Sequence, residues 1–241
     1  MNSESPDLNA LARSRLHTPV CDVLRIEVPV LQGGMATYTS AELVAAVCEA
    51  GGLGIIGSLG RTPDALREEI RKVRNLTRRP FGVNHVVCLA NPDSLDVTFE
   101  EAVPILSLSW GRSHQMIARA HEAGMKVVHQ VNTPEEAKGA ASDGADVIVA
   151  QGTEGGGHVG AMSTMALVPQ VVDAVHPVPV LAAGGIADGR GLAAAIMLGA
   201  QGVLIGTRFL ATDEAPGRGR SKDESSMRSA ARRWPASSTT T

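Results

Sequence analysis

Aromatic residues are scarce in this chain of 241 residues: two Trp, one Tyr and three Phe, or 2%. A nucleic-acid surface built from stacked rings needs more of them. The formal net charge is only −3, so nothing draws the chain to a phosphate backbone. No apolar run reaches the ~18 residues of a membrane-spanning helix. The opening stretch, MNSESPDLNALARSR, lacks the apolar block of a secretion signal. Cysteines are three, Cys21, Cys48 and Cys88, far apart and odd in number, without disulfide or metal-ligand spacing. Together these absences predict a chain of the reducing cytoplasm that binds neither nucleic acid, membrane nor metal. There is no G-x-G-x-x-G after the first strand and no GxxxxGK[ST] anywhere, which argues against nucleoside triphosphate chemistry.

Against these absences stands a hydrophobic content of 44%, enough for a full core. Short apolar runs alternate with longer amphipathic segments. The runs Val28–Gln32, Leu53–Gly57, Pro80–Val87, Ile105–Trp110, Lys126–Val131, Asp146–Gln151, Val178–Ala183 and Gly202–Gly206 read as eight strands. They are continuous rather than alternating, as expected of strands covered on both faces. Helix starts fall between them. Ser40 caps one, Thr62–Pro63 and Asn91–Pro92 open two more, and Thr133, Pro134 and Glu136 form a capping box. Eight strand–helix alternations imply parallel pairing, and fit a closed (β/α)8 barrel better than an open doubly wound sheet.

The order fails after Leu210. Residues 215–241 are rich in Gly, Arg, Ser and Thr, and only Ser225–Arg233 resembles a helix. The predicted organisation is an N-terminal segment (1–24), a barrel (25–212) and an atypical tail (213–241). The barrel is expected to lack a normal eighth helix and to be incomplete at its seam.

Glycine loops mark the strand ends where a barrel holds its ligand. QGTEGGGHVG (151–160) carries His158, whose imidazole titrates near neutral pH and suits proton transfer. AAGGI (182–186) and GTRF (206–209) end strands seven and eight, the usual phosphate site. QGGM (32–35) leaves strand one open to a flat ring. Asn84 offers donor and acceptor to a heterocycle edge, and Gln130 and Gln151 end strands five and six within reach of a ring carbonyl. His85 is expected on the opposite face of its strand from Asn84. His129 stays unassigned, and His17, His114, His121 and His176 read as surface or helix positions.

In order, PVLQGGMA (29–36), AGGLGIIG (50–57), PFGVN (80–84), AQGTEGGGHVG (150–160), LVPQVVDAV (167–175), AAGGIADGRG (182–191) and LGAQGVLIGTRF (198–209) resemble the nitronate monooxygenases, formerly 2-nitropropane dioxygenases. The resemblance implies an FMN-dependent TIM barrel. It implies that Gly33 and Met35 line the flavin, that Asn84 and Gln151 bond it, and that Gly156 lies close to it. Gly185, Gly206 and Thr207 would hold its phosphate, and His158 would be catalytic. A common form of the histidine loop reads EAGGH; here Gly155 replaces the alanine. The implied reaction is oxidation of alkyl nitronates by dioxygen to carbonyl compounds and nitrite. Flavin-dependent enoyl-ACP reductases share nearly all these motifs, so an NAD(P)H-dependent reductase acting on an enoyl thioester or a quinone is the alternative. Family members continue beyond GTRF with a covering helical segment. Its replacement here by ATDEAPGRGRSKDESS leaves a third reading, a shortened flavin-binding barrel with little or no turnover. A homo-oligomer is compatible with the sequence.

Overall fold

A computed structural model describes residues 16–216 of the chain. Strands β1 (Val30–Gln32), β2 (Leu53–Gly57), β3 (Gly82–Val86), β4 (Ile105–Ser109), β5 (Lys126–Val131), β6 (Val147–Gln151), β7 (Val180–Ala183) and β8 (Val203–Ile205) form a closed barrel in chain order. Every neighbouring pair is parallel, including β1 with β8, where Val30, Leu31 and Gln32 align with Val203, Leu204 and Ile205. The expected open seam is thus closed at the level of the backbone. Gly33 N donates to Ile205 O at 2.9 Å and carries the pairing one residue further.

Helix α1 (Pro19–Leu24) precedes the barrel. Its Val20, Cys21 and Leu24 are buried in one cluster with Leu31, Leu53, Ile55, Ile105, Val149 and Leu181 of the barrel interior. Helix α1 therefore plugs the amino-terminal end of the barrel. The remaining helices cover the outside: α2 (Ala41–Glu49), α3 (Pro63–Leu76), α4 (Pro92–Glu100), α5 (His114–Glu122), α6 (Pro134–Ser142), α7 (Thr164–Val175) and α8 (Gly189–Met197).

The caps read from sequence form as expected. Ser40 Oγ accepts from Leu43 N and Thr62 Oγ1 from Ala65 N, both at 3.2 Å. Thr133 Oγ1 accepts from Glu136 N at 3.1 Å, but the return bond differs from a standard capping box. Glu136 Oε2 reaches past Thr133 to Asn132 N at 2.7 Å. Strand ends retract by one or two residues where proline or a turn intervenes. β7 begins at Val180 because Pro177 and Pro179 precede it, and β4 ends at Ser109 because Trp110 turns left-handed at φ 58°.

After β8 the described chain makes a 3-10 turn, Thr207–Ala211, and runs to Pro216. Ala215 packs on Leu43 and Val47 of α2, with Phe209 and Met35 against them. This short stretch covers part of the seam between β8 and β1. The weak helix at Ser225–Arg233 lies outside the described residues.

His85 is fully buried on the outer face of β3, away from Asn84 as expected. Thr98 Oγ1 lies 3.1 Å from Ser94 O and gives its proton there. His85 Nε2, 2.8 Å from that hydroxyl, is then the donor, and Nδ1 accepts from Ser58 Oγ at 3.2 Å. The relay ties β2 and β3 to α4. Burial lowers the His85 pKa from 6.5 to about 4. Between these values the unfolded chain takes up a proton that the folded chain refuses. Stability present at neutral pH is therefore lost as pH falls from about 6.5 to about 4, by about 3 kcal/mol for this group. In urea unfolding at pH 7, 5.5 and 4.5, the His85→Gln variant should start less stable than the parent and show a flatter decline. Parallel declines in parent and variant would refute the assignment.

Candidate functional site

Loops at the carboxyl ends of the strands meet along one rim. After β1, Gly34 approaches β3 so closely that an added Cβ would lie 2.6 Å from Asn84 Cβ. Met35 Sδ lies 3.4 Å from where a Cβ would stand on Gly206, after β8. Thr207 Oγ1 comes as near, 3.5 Å, to a Cβ on Gly156 in the loop after β6. Gly184 and Gly185 follow β7 with φ of 104° and 71°, a pair of left-handed residues that glycine adopts without strain. A Cβ on Gly185 would meet Glu154 Cβ at 3.3 Å. The ends of β1, β6, β7 and β8 thus form a continuous surface.

The loop 151–160 is held by its first residue. Gln151 is 6% exposed, and its Nε2 donates to His158 O at 2.9 Å and to Gly156 O at 3.4 Å. Asn132 Nδ2 donates to Gln151 O at 2.9 Å. Trp110, at the end of β4, donates from Nε1 to the same His158 carbonyl at 3.1 Å. Its ring meets the imidazole edge-to-face, with centroids 3.6 Å apart and planes at 65°. Burial lowers the His158 pKa below 6.5, so the ring is mostly neutral at pH 7. A neutral imidazole can accept a proton.

Glu154 anchors the middle of the loop. Its Oε2 accepts from Thr164 N at 2.9 Å, at the first residue of α7, and lies 2.9 Å from Thr164 Oγ1. The Thr164 backbone donor, first among several bonds, holds the Glu154 carboxyl below the usual carboxylate range. Thr164 Oγ1 also lies 3.2 Å from Ala183 O and 3.1 Å from Gly184 O. This carboxylate supplies the start of α7 at Thr164, because Ser163, the N-cap, offers no side-chain bond of its own.

The rim glycines divide into two kinds. Gly34 and Gly184 are pressed against protein atoms on several sides. Gly156 and Gly206 are not. A Cβ on Gly156 would meet only Thr207 Oγ1, and one on Gly206 only Met35. The protein's own packing does not require glycine at these two positions. They leave a cradle that a side chain would fill, as expected beside a flat or phosphorylated ligand.

Of the residues singled out in the sequence, Met35, Gln151, Gly156, His158, Gly185, Gly206 and Thr207 converge on this rim, and Gly33 packs on Leu204 of β8. Asn84 lies beside them, but its Nδ2 is 3.1 Å from Ser107 Oγ and 3.3 Å from Ser109 Oγ. The Gln151 amide nitrogen is committed to its own loop rather than held free for a ring. His129 is buried on the outside of β5, and its pKa is lowered by burial. Trp110, Glu154 and Asn132 were missed. Trp110 was legible as one of two tryptophans, placed at a strand's carboxyl end, whereas the other two depend on loop geometry that no pattern specifies. No group of three metal-ligating side chains occurs among the described residues. No helix among them is long and apolar enough to cross a membrane.

Comparison with known proteins gives the same picture. A nitronate monooxygenase family model matches residues 17–97 and 90–227. A Mycobacterium tuberculosis relative, (3aS,4S,5R,7aS)-5-hydroxy-7a-methyl-1-oxo-octahydro-1H-indene-4-carboxyl-CoA dehydrogenase, is 45% identical over 83% of this chain and 58% of its own length. A probable nitronate monooxygenase of Staphylococcus saprophyticus is 37% identical over 83% of this chain and 70% of its own. Among solved structures, FabK from Thermotoga maritima superposes with a TM-score of 0.79 at 46% identity, covering 83% of this chain and 64% of that one. The nitroalkane oxidase of Streptomyces ansochromogenes gives 0.76 at 33%, covering 84% and 71%. The chain thus spans 58% of the length of the mycobacterial relative. It belongs to the nitronate monooxygenase family.

The Trp110 contact predicts a measurable shift. Trp110→Ala exposes the imidazole, so the His158 pKa should rise toward 6.5 in an NMR titration of the ring protons. An unchanged or lower value would show that Trp110 is not what buries it.

Proposed function

We propose that this member of the nitronate monooxygenase family is an FMN-dependent oxidase of alkyl nitronates, using dioxygen and giving a carbonyl compound and nitrite. The observation that carries the proposal is the His158 imidazole, its backbone carbonyl held by Gln151 and Trp110 on the same rim as the open glycines Gly156 and Gly206. The cradle fits FMN: Gly185, Gly206 and Thr207 would hold the phosphate, and Gly33, Met35 and Gly156 would border the ring. Asn84 and the remaining oxygen of Gln151 would bond its polar edge. When bound, FMN supplies the two-electron acceptor that the side chains lack.

The chain's own residues supply the rest. His158 takes a proton from the carbon next to the nitro group of a neutral nitroalkane, or faces the anion already formed. Its lowered pKa keeps it in the accepting form at neutral pH. Gln151 and Trp110 both donate to the His158 carbonyl, which fixes the ring against the pull of a flexible glycine loop.

A second reading is favoured by the 45% and 46% identities to the CoA-thioester dehydrogenase and to FabK. In it, a flavin held by the same rim would supply hydride transfer from NAD(P)H to a thioester-bearing substrate, and His158 would handle the proton. After FMN reconstitution, nitrite release from ethyl or propyl nitronate supports the first reading. Flavin bound without nitrite release, together with rapid anaerobic bleaching by NADH or NADPH, would replace it with the second.

The proposed roles also separate by mutation. His158→Ala should lower turnover about 100-fold or more while leaving flavin content near that of the parent. Gly156→Val, where an added Cβ would meet only Thr207 Oγ1, should keep the thermal midpoint but lose bound flavin. Equal flavin content in both variants would refute this division.

A further inference from the structure

We infer that the amino-terminal face of the barrel, opposite the rim, carries a binding site for a small phosphorylated anion. A cavity of about 510 Å³ opens where the end of α1 meets the loops entering β3, β4 and β5. Five cationic side chains line it: Arg25, Arg74, Arg78, Arg79 and Lys126. They come from different elements. Arg25 caps the carboxyl end of α1 in a left-handed conformation, φ 56°. Arg74 lies in the last turn of α3, Arg78 and Arg79 lead into β3, and Lys126 opens β5.

Three of the five have carboxylate partners. Arg74 meets Glu101 at 3.0 Å, Arg79 meets Glu27 at 2.5 Å and Glu49 at 3.7 Å, and Lys126 meets Asp146 at 2.7 Å. Glu101 is shared further, with Arg67 at 3.1 Å and Arg71 at 2.8 Å, so it does not fully offset Arg74. Arg25 and Arg78 are exposed and form no ion pair or side-chain hydrogen bond with a described residue. The cavity therefore holds an excess of positive charge.

A solvated basic face is the ordinary reading of surface arginines, and the amino-terminal end of a barrel more often serves stability than ligand binding. Two features argue otherwise. Unpaired guanidinium groups on a convex surface spread apart, whereas here they border a concavity whose walls concentrate their field. The planar guanidinium fork also matches phosphate oxygens two at a time. Between the cations stand the apolar side chains of Val23, Pro80 and Pro104. The volume lies in the range of organic-ligand sites, roughly 300–1,000 Å³. Charge, shape and apolar walls together suit a di- or triphosphate, free or on a small organic body. The site is independent of the flavin proposal, since no residue of the rim lines it.

The test is calorimetric titration of the full chain with sodium pyrophosphate at constant ionic strength, with and without saturating FMN. One saturable site is expected, unaffected by FMN. It should weaken at least tenfold in the Arg25→Ala/Arg78→Ala double variant, whose thermal midpoint without ligand should match the parent because neither arginine is paired. A parallel titration with ATP separates the sources: tighter binding than pyrophosphate assigns the site to an organic phosphate, equal binding to the inorganic ion. Pyrophosphate binding that FMN displaces, that persists in the double variant, or that is no stronger than that of chloride would overturn the inference.

Discussion

Closure between β1 and β8 is the constraint on which the rim depends. Each of these strands is only three residues long, so the join has few ladder bonds of its own. Side chains reinforce it. Gln32, fully buried, accepts from Ile55 N at 3.2 Å and donates to Ile55 O at 3.3 Å, clipping β1 to β2. From below, α1 buries Val20, Cys21 and Leu24 against the barrel interior, each worth about 1.5–3 kcal/mol for the larger side chains. Without that closure Met35 and Gly206 would not meet, and the ends of β6, β7 and β8 would have no fourth wall.

The rim itself is organised by two competing demands. A loop of three consecutive glycines, Gly155–Gly157, must carry a side chain at a fixed place, although glycine is the residue that loses most freedom when fixed. The chain resolves this by bonding carbonyls rather than side chains. Gln151 and Trp110 both donate to His158 O, and Glu154 pins the turn to the start of α7. The imidazole is thus aimed by bonds to its own backbone, and its ring is left to Trp110 on one side and to the rim on the other. Glu154, by its bonds to Thr164, also couples this loop to the β7 end, where Thr164 Oγ1 lies 3.1 Å from Gly184 O.

The barrel was legible because its signals are local and repeated. Each strand is a continuous apolar run, and several helices announce themselves by Thr62–Pro63, Asn91–Pro92 or Thr133–Pro134. The site glycines were legible for a similar reason, since glycine at a strand end has few roles. What escaped depends on contacts between distant segments. The seam looked open because its cover, Phe209 and Ala215, is too short to show a helical period. Gln151 looked free for a ligand, because only the folded loop shows its amide turned toward His158 O. The start of α7 rests on Glu154, ten residues before Thr164, and no local cap predicts it. The cavity at the other end has no signature at all: Arg25, Arg78 and Lys126 are ordinary surface residues until three loops and α1 bring them together.

The three cysteines have unequal fates in this fold. Cys21 is buried in the plug and Cys48 beneath β2, where burial pushes its thiol up to about 11. Cys88 alone among them is exposed, and its backbone N–H donates to Trp110 O at 3.0 Å. A thiol-directed dye added to the folded chain is therefore steered to one position on the rim. No cysteine needs to be introduced or removed, and the label reports on the wall beside the imidazole from a site that makes no bond to it.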